Sequence, residues 1–221
     1  MTLVRTQPAY LDFIHAAYSD DAFMDLYRLG QSRTLSKKAL KQRIEQEAQT
    51  LPQSQKRLEW VILETQQTQP IGLASLADYQ ATHGRAELLV GIVDSAQAHR
   101  RSALEATLLV MDFAFNLAQL HKLLSFVYDY NHYAQRNTLH LGFRQEGFLV
   151  DHINTRKGLV SLYQNALLRR EFVEHPRLAR LSKRLLGRDI TRIRQPTAHP
   201  LAKHDLNLLS QRLRIPSEAE R

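Results

Sequence analysis

Glu87 stands in the run Arg85–Asp94 (RAELLVGIVD), where Leu88, Leu89 and Val90 crowd it with apolar side chains. Burial in such a strand disfavours the charged carboxylate and raises its pKa toward the range of a useful base. The alternative is a solvent-facing Glu87 paired with Arg85. A second stretch with chemical potential is Ala98-His99-Arg100-Arg101-Ser102-Ala103, which runs into Ser102-x-x-Glu105, a capping-box signature of a helix start. Basic groups at a helix N-terminus oppose its dipole by about 0.3–1 kcal/mol each where charged, a cost that a bound anion reverses. The cluster reads as an anion site or as arginines that simply face solvent. The ten histidines show no H-E-x-x-H or other tight ligand spacing and there is no cysteine, so neither a metal site nor thiolate chemistry is expected. No P-loop or dinucleotide fingerprint occurs, which leaves kinase and hydrolase readings without support.

The elements that must position these groups follow from periodicity. A short strand at Leu3–Thr6 precedes two short helices, one from Pro8 with Leu11, Ile14 and Tyr18 on one face, the next opened by Asp20 and Asp21. Ser36 is placed to cap a basic helix that Pro52 ends. Arg57–Thr65, Pro70–Tyr79 and Arg85–Asp94 read as an antiparallel meander. A helix from Ser102 to about Gln119 then crosses over to a strand at Leu123–Tyr130. Asn131–Leu141 reads as a short helix stopped by Gly142, and Phe143–Ile153 with Gly158–Leu168 as a closing strand pair. Pro176 at the first helical position and Gly187 past the end bracket a helix with Leu178, Leu181 and Leu185 on one face and basic residues on the other. Residues 189–200 read as a linker to a last helix around Asp205–Arg214.

With 221 residues, 43% hydrophobic and 24% charged, the chain has the balance of one medium globular domain with an appendage. It shows no long apolar run and no signal-like N-terminus, so the expectation is a cytoplasmic protein without a membrane span. Charge is unevenly placed. Residues 1–168 hold 17 Lys+Arg against 16 Asp+Glu, whereas residues 169–221 hold 13 against 6. Such a tail suits a polyanionic partner, RNA or an acidic protein, or serves as a solvated basic helix.

The order of elements, together with Asn131, Ala134, Leu141-Gly142-Phe143 and Glu146-Gly147, resembles the GNAT superfamily of acetyl-CoA-dependent N-acyltransferases over about residues 1–168, in the flavour of the ribosomal-protein N-terminal acetyltransferases. The resemblance implies an α+β fold, a mixed and mostly antiparallel sheet flanked by helices. It divides the chain into residues 1–171, the GNAT-like domain, and residues 172–221, a basic helical extension. It further implies that Gly91, Ile92 and Val93 offer strand backbone to the pantetheine arm of acetyl-CoA, that Arg100, Arg101, Ser102 and Ala103 meet its pyrophosphate, and that Asn131 contacts the cosubstrate. The usual Arg/Gln-x-x-Gly-x-Gly/Ala loop is degraded here, with Arg101 in place of the first glycine. Glu87 stands where many members carry the base. The family's acidic Tyr is replaced by Thr138, and Tyr133 is the substitute on the same helix.

The expected activity is transfer of an acetyl group from acetyl-CoA to a primary amine, a small molecule or a protein N-terminus, by direct attack, with no metal. The alternatives are a catalytically silent module with a polyanion-binding tail, and an acyltransferase fed by an acyl carrier protein. A homodimer is one assembly this reading admits. The narrow leucine stripe at Leu178, Leu181 and Leu185 leads to the expectation that removing residues 172–221 leaves the body folded. Packing of the stripe on the sheet or on a second subunit is the competing view.

Overall fold

The computed structural model describes residues 1–28, 36–64, 69–93, 100–155, 157–192 and 210–214. Its centre is one mixed sheet of strands β1 (Thr2–Arg5), β2 (Leu58–Leu63), β3 (Pro70–Gln80), β4 (Arg85–Ile92), β5 (Lys122–Tyr128), β6 (Arg144–Thr155), β7 (Gly158–Leu168) and β8 (Arg212–Arg214). The spatial order is β6-β7-β5-β4-β3-β2-β1-β8. Only β4 and β5 run parallel, because the chain between them must cross over through a helix rather than turn back. The α+β mixed sheet expected from the sequence is the observed fold.

Alternation along the strands sorts side chains onto two faces. Ala86 and Leu88 of β4, with Leu58, Trp60 and Ile62 of β2, turn to the face covered by α4 (Arg100–Asp112), and Val90 and Ile92 pack against the same core. Leu89 packs on the opposite core, beneath α1 (Leu11–Ser19), α2 (Asp21–Tyr27) and α3 (Lys37–Gln49). Asp20 and Ser36 cap α2 and α3 as their residue types require. The chain after β5 forms α5 (His132–His140), and after β7 it forms α6 (Arg169–Val173) and α7 (Pro176–Leu186).

Four expectations change. The helix after β4 is already helical at Arg100, so Ser102 lies within its first described turn instead of capping it, and Glu105 takes the Arg101 Nε at 2.7 Å. The same helix loosens into a π-helical turn at Phe113–Leu117, which turns Phe113 and Phe115 into the core. Arg212–Arg214 pair with β1 as a strand where a helix was expected, and residues 193–209 lie outside the described residues. Residues 189–192 are no free linker either, since Ile190 and Thr191 are buried.

The C-terminal segment packs on the body. Phe172, Leu178 and Leu186 are 0% exposed and belong to the main core, with Phe172 stacked on Phe115 at 4.5 Å. Arg188 reaches Asp112 at 2.6 Å, and Asn116 Nδ2 donates to the Ile190 carbonyl at 2.7 Å. This burial runs against the expectation that residues 172–221 can be removed without unfolding the body, because their loss strips core side chains worth about 1.5–3 kcal/mol each. Among the described residues no helix is long and apolar enough to cross a membrane.

Candidate active site

The site begins where the sheet comes apart. β4 and β5 share only three pairs, Arg85↔Lys122 to Glu87↔Leu124, after which β4 follows β3 to Ile92 and β5 follows β7 to Tyr128. The facing edges of the two strands then carry backbone groups with no ladder between them, the condition under which an extended amide-bearing ligand can add like a strand. A cleft of about 250 Å³ opens there, lined by Leu88, Leu89 and Val90 of β4 and by Ser125–Tyr128 of β5. The β4 residues at its wall are thus three positions earlier than Gly91, Ile92 and Val93, which are not among its lining residues. Gly91 answers to a different need: a Cβ there would lie 2.6 Å from the Phe23 ring and 2.7 Å from that of Tyr27. Its bare backbone lets α2 press a stacked Phe23–Tyr27 pair, with centroids 4.9 Å apart, onto β4.

On one side the cleft continues into a cavity of about 380 Å³ that holds Glu87, Arg28 and His152. Tyr27, Leu89, Phe126 and Tyr128 line both spaces and so form the passage between them. Burial raises the Glu87 carboxyl above the usual carboxylate range, the Arg28 guanidinium opposing this and Asp78 adding to it. The environment inferred from Leu88, Leu89 and Val90 is therefore present. Arg85 pairs with Asp78 at 3.4 Å. Tyr27 is held by its hydroxyl, 3.1 Å from Ser75 Oγ and 3.3 Å from the buried Glu59 carboxylate. Asp25 of α2 receives Lys157 at 3.2 Å and its carbonyl accepts from the Tyr130 hydroxyl at 2.9 Å, tying α2 to the turn between β6 and β7 and to the chain after β5.

On the other side the cleft widens into a groove of about 870 Å³ between α4, α5 and α7. Ala103, Thr107, Tyr133, Asn137 and Leu141 line both, so groove, cleft and cavity form one continuous path. Asn131 caps α5 by accepting from the Ala134 amide at 3.0 Å and lines the cleft. Arg101 lines the groove, whereas Ser102 is buried. The side chain of Arg100 and residues 94–99 lie outside what is described. Glu87 and Tyr133 are not brought together: Glu87 lines the inner cavity, while Tyr133 lines the opposite end of the cleft. Reasoning from sequence missed Tyr128, Arg28, His152 and the α7 residues of the groove. For Tyr128 the sequence does carry a signal: Phe126 and Tyr128 stand two apart in the strand expected at Leu123–Tyr130, a spacing that puts both on one face.

The mixed sheet thus opens between β4 and β5, with the cavity holding Glu87 at one end of the opening. Residues 1–144 match the family model of the acetyltransferase (GNAT) domain, and the chain belongs to this family. Among solved structures it is similar to the spermidine N-acetyltransferase of Vibrio cholerae in complex with CoA and spermine, with 20% identity, a TM-score of 0.66, and coverage of 76% of this chain and 95% of that one. A putative acetyltransferase is similar at 23% identity and a TM-score of 0.62, covering 83% of this chain and 89% of the other. Comparison of the sequence with curated proteins gave no match.

Proposed function

We propose that the protein is an acetyl-CoA-dependent N-acetyltransferase acting on a primary amine. The observation that carries this is the continuous path from the basic groove, through the splayed β4–β5 cleft, to the cavity holding Glu87. The pantetheine arm lies in the cleft along Leu88–Val90, with Gly91, Ile92 and Val93 continuing the same strand beyond it. Arg100, Arg101, Ser102 and Ala103 stand at the phosphate end. The donor fits the path because an extended, amide-bearing arm needs free strand backbone and its thioester needs to reach a base.

In this mechanism the amine enters the Glu87 cavity and its nitrogen attacks the thioester carbonyl carbon. The carbon–sulfur bond breaks, the amine proton passes to Glu87 directly or through water, and the departing thiolate takes a proton from a phenol. Tyr128, in the passage between cleft and cavity, is better placed for that last step than Tyr133, which lies toward the phosphates; replacing each with Phe separates them. An acceptor of the protein N-terminal type, as in the ribosomal-protein branch, and a polyamine, as in the Vibrio cholerae structure, share the primary amine that this cavity accepts. Outward basic residues of the C-terminal segment, Arg180 among them, are kept for a polyanionic partner, RNA or an acidic protein, and a homodimer for assembly.

Isothermal titration with acetyl-CoA tests the reading, followed by turnover with spermidine and with a peptide bearing a free N-terminus. Saturable binding and acetylation of either amine are expected. Absence of any heat at millimolar acetyl-CoA would instead support a catalytically silent module.

A further inference from the structure

The family match ends at residue 144, yet one wall of the groove is built by α7, which lies beyond it. Arg177, Leu181, Arg184 and Leu185 of α7 face Arg101 and Leu104 of α4 and His140 at the end of α5 across a space of about 870 Å³. Arg177 sits in the first turn of α7, where no acidic residue offsets it and a cation opposes the helix dipole. Lys183 and Arg188 on either side of Arg184 are paired, with Asp189 at 3.6 Å and Asp112 at 2.6 Å, but Arg177 and Arg184 form no ion pair with any described residue. Two uncompensated guanidinium groups thus line an otherwise largely apolar space.

The helix that presents them is fixed on all sides. His175 caps it, Nδ1 accepting from the Leu178 amide at 3.3 Å. Ser182 is fully buried, donating to the Leu178 carbonyl at 2.7 Å and accepting from the Ile190 amide at 3.2 Å. Leu178 and Leu186 are in the core. A helix held this way presents the two arginines from a fixed backbone, so binding has only their side chains left to order.

We propose that α7 is a donor-selecting element, in which Arg177 and Arg184 hold the phosphorylated nucleotide end of the CoA donor and replace what the missing glycines of the degraded loop would otherwise supply. The inference rests on the acetyl-CoA reading above and adds to it a helix outside the family domain. The chemistry fits: guanidinium forks meet phosphate oxygens in bidentate fashion, while Leu104, Leu181 and Leu185 present apolar surface to a purine. The groove joins the pantetheine cleft at Ala103 and Thr107, so one donor can occupy both.

The test uses the full-length chain and two donors, acetyl-CoA and acetyl-pantetheine, which lacks every phosphate. Wild type is expected to bind acetyl-CoA far more tightly. The double variant Arg177→Glu/Arg184→Glu should weaken acetyl-CoA by roughly 30-fold or more while leaving acetyl-pantetheine unchanged, since a charge-assisted contact is typically worth a factor of ten or more. Arg177→Gln/Arg184→Gln should give a smaller loss in the same direction, and Arg180→Glu, on the same helix but not lining the groove, should give none. Fluorescence of Trp60 confirms that each variant is folded. Acetyl-CoA affinity unchanged in both double variants, or lost equally in Arg180→Glu, overturns the role of α7 and leaves the acetyltransferase reading standing. Failure of the wild type to bind either donor overturns both.

Discussion

The Gly142 backbone lies directly against the His175 ring: a methyl group on Gly142 would sit 2.6 Å from His175 Cδ2. Gly142 follows α5 at a φ of 91°, and His175 caps α7, so this contact joins two walls of the groove. The Gly-Phe pair that marks the family in the sequence therefore serves here to seat a helix outside it.

Gly142→Ala is expected to destabilise the fold by about 1–3 kcal/mol, combining backbone strain at positive φ with displacement of the His175 ring. Urea unfolding followed by Trp60 fluorescence measures it, and acetyl-CoA affinity should fall in the same variant because α7 is displaced.

Burial, with the neighbouring Arg177 guanidinium, lowers the pKa of the His175 imidazole, and its Nδ1 must stay unprotonated to accept from Leu178. The unfolded chain then binds the proton more readily than the native one, so stability is full above about 6.5, the ordinary histidine value, and is lost as pH falls below it. Melting temperatures at pH 5 and pH 8 should differ more for wild type than for His175→Gln. Equal differences would remove His175 from the account.

Glu87→Gln should lower turnover by about 10²–10⁴ with acetyl-CoA affinity nearly intact, the mark of a lost general base. In wild type, kcat/KM should rise with pH through an apparent pKa above the usual carboxylate value. The raised pKa favours the protonated native state, so the stabilising contribution is present at low pH and is lost as pH rises through it. At neutral pH Glu87→Gln should therefore melt at or above the wild-type temperature while being slower. Full activity in the variant would make Glu87 structural.

Beneath α1 and α2, the Glu59 carboxylate is 1% exposed, with the Tyr18 hydroxyl at 2.6 and 2.7 Å and Arg57 at 3.2 Å. Burial and the Glu59 charge both raise the pKa of Tyr18, which keeps its proton for donation. Glu59→Ala leaves the half-buried Arg57 without this anion and is expected to cost about 3 kcal/mol, the low end for a broken buried pair. Because Tyr27 hangs on the same carboxylate and walls the site, urea titration and KM for the amine should both move.

Truncation after residue 171 should yield a molten or insoluble product, seen as lost near-ultraviolet ellipticity and a red-shifted Trp60, which is 0% exposed in the full chain. A folded truncation would show that α7 only decorates the body.

The strands, the crossover and the helix starts at Asp20 and Ser36 were legible because they depend on local period and local chemistry; Asn131, expected as a cosubstrate contact, also caps α5. Pro176 and Gly187 bracketed α7 equally well, with Gly187 at a φ of 73°. What sequence withheld depends on distant partners. Nothing local to Leu178 says that it joins the core that holds Phe172 and Phe115, and the three-residue β8 has meaning only against β1. The family resemblance put the pantetheine contact at Gly91, Ile92 and Val93; the cleft is lined three positions earlier, and Gly91 instead admits Phe23 and Tyr27. Ser102 followed the capping pattern while the helix already included Arg100, and the burial that raises the Glu87 pKa was the environment expected of its apolar strand.

The pairing of Thr2 with Arg214 gives the sheet a timetable. β8 is synthesised roughly 210 residues after β1, an interval on the order of ten to forty seconds at usual synthesis rates. Through that interval the outer ladder groups of β1 lack their partner, and the Trp60 indole lacks the Ser210 carbonyl that receives it at 2.7 Å. Closure of the far edge waits until β8 has been made, so a chain stalled before it has an open, adhesive border.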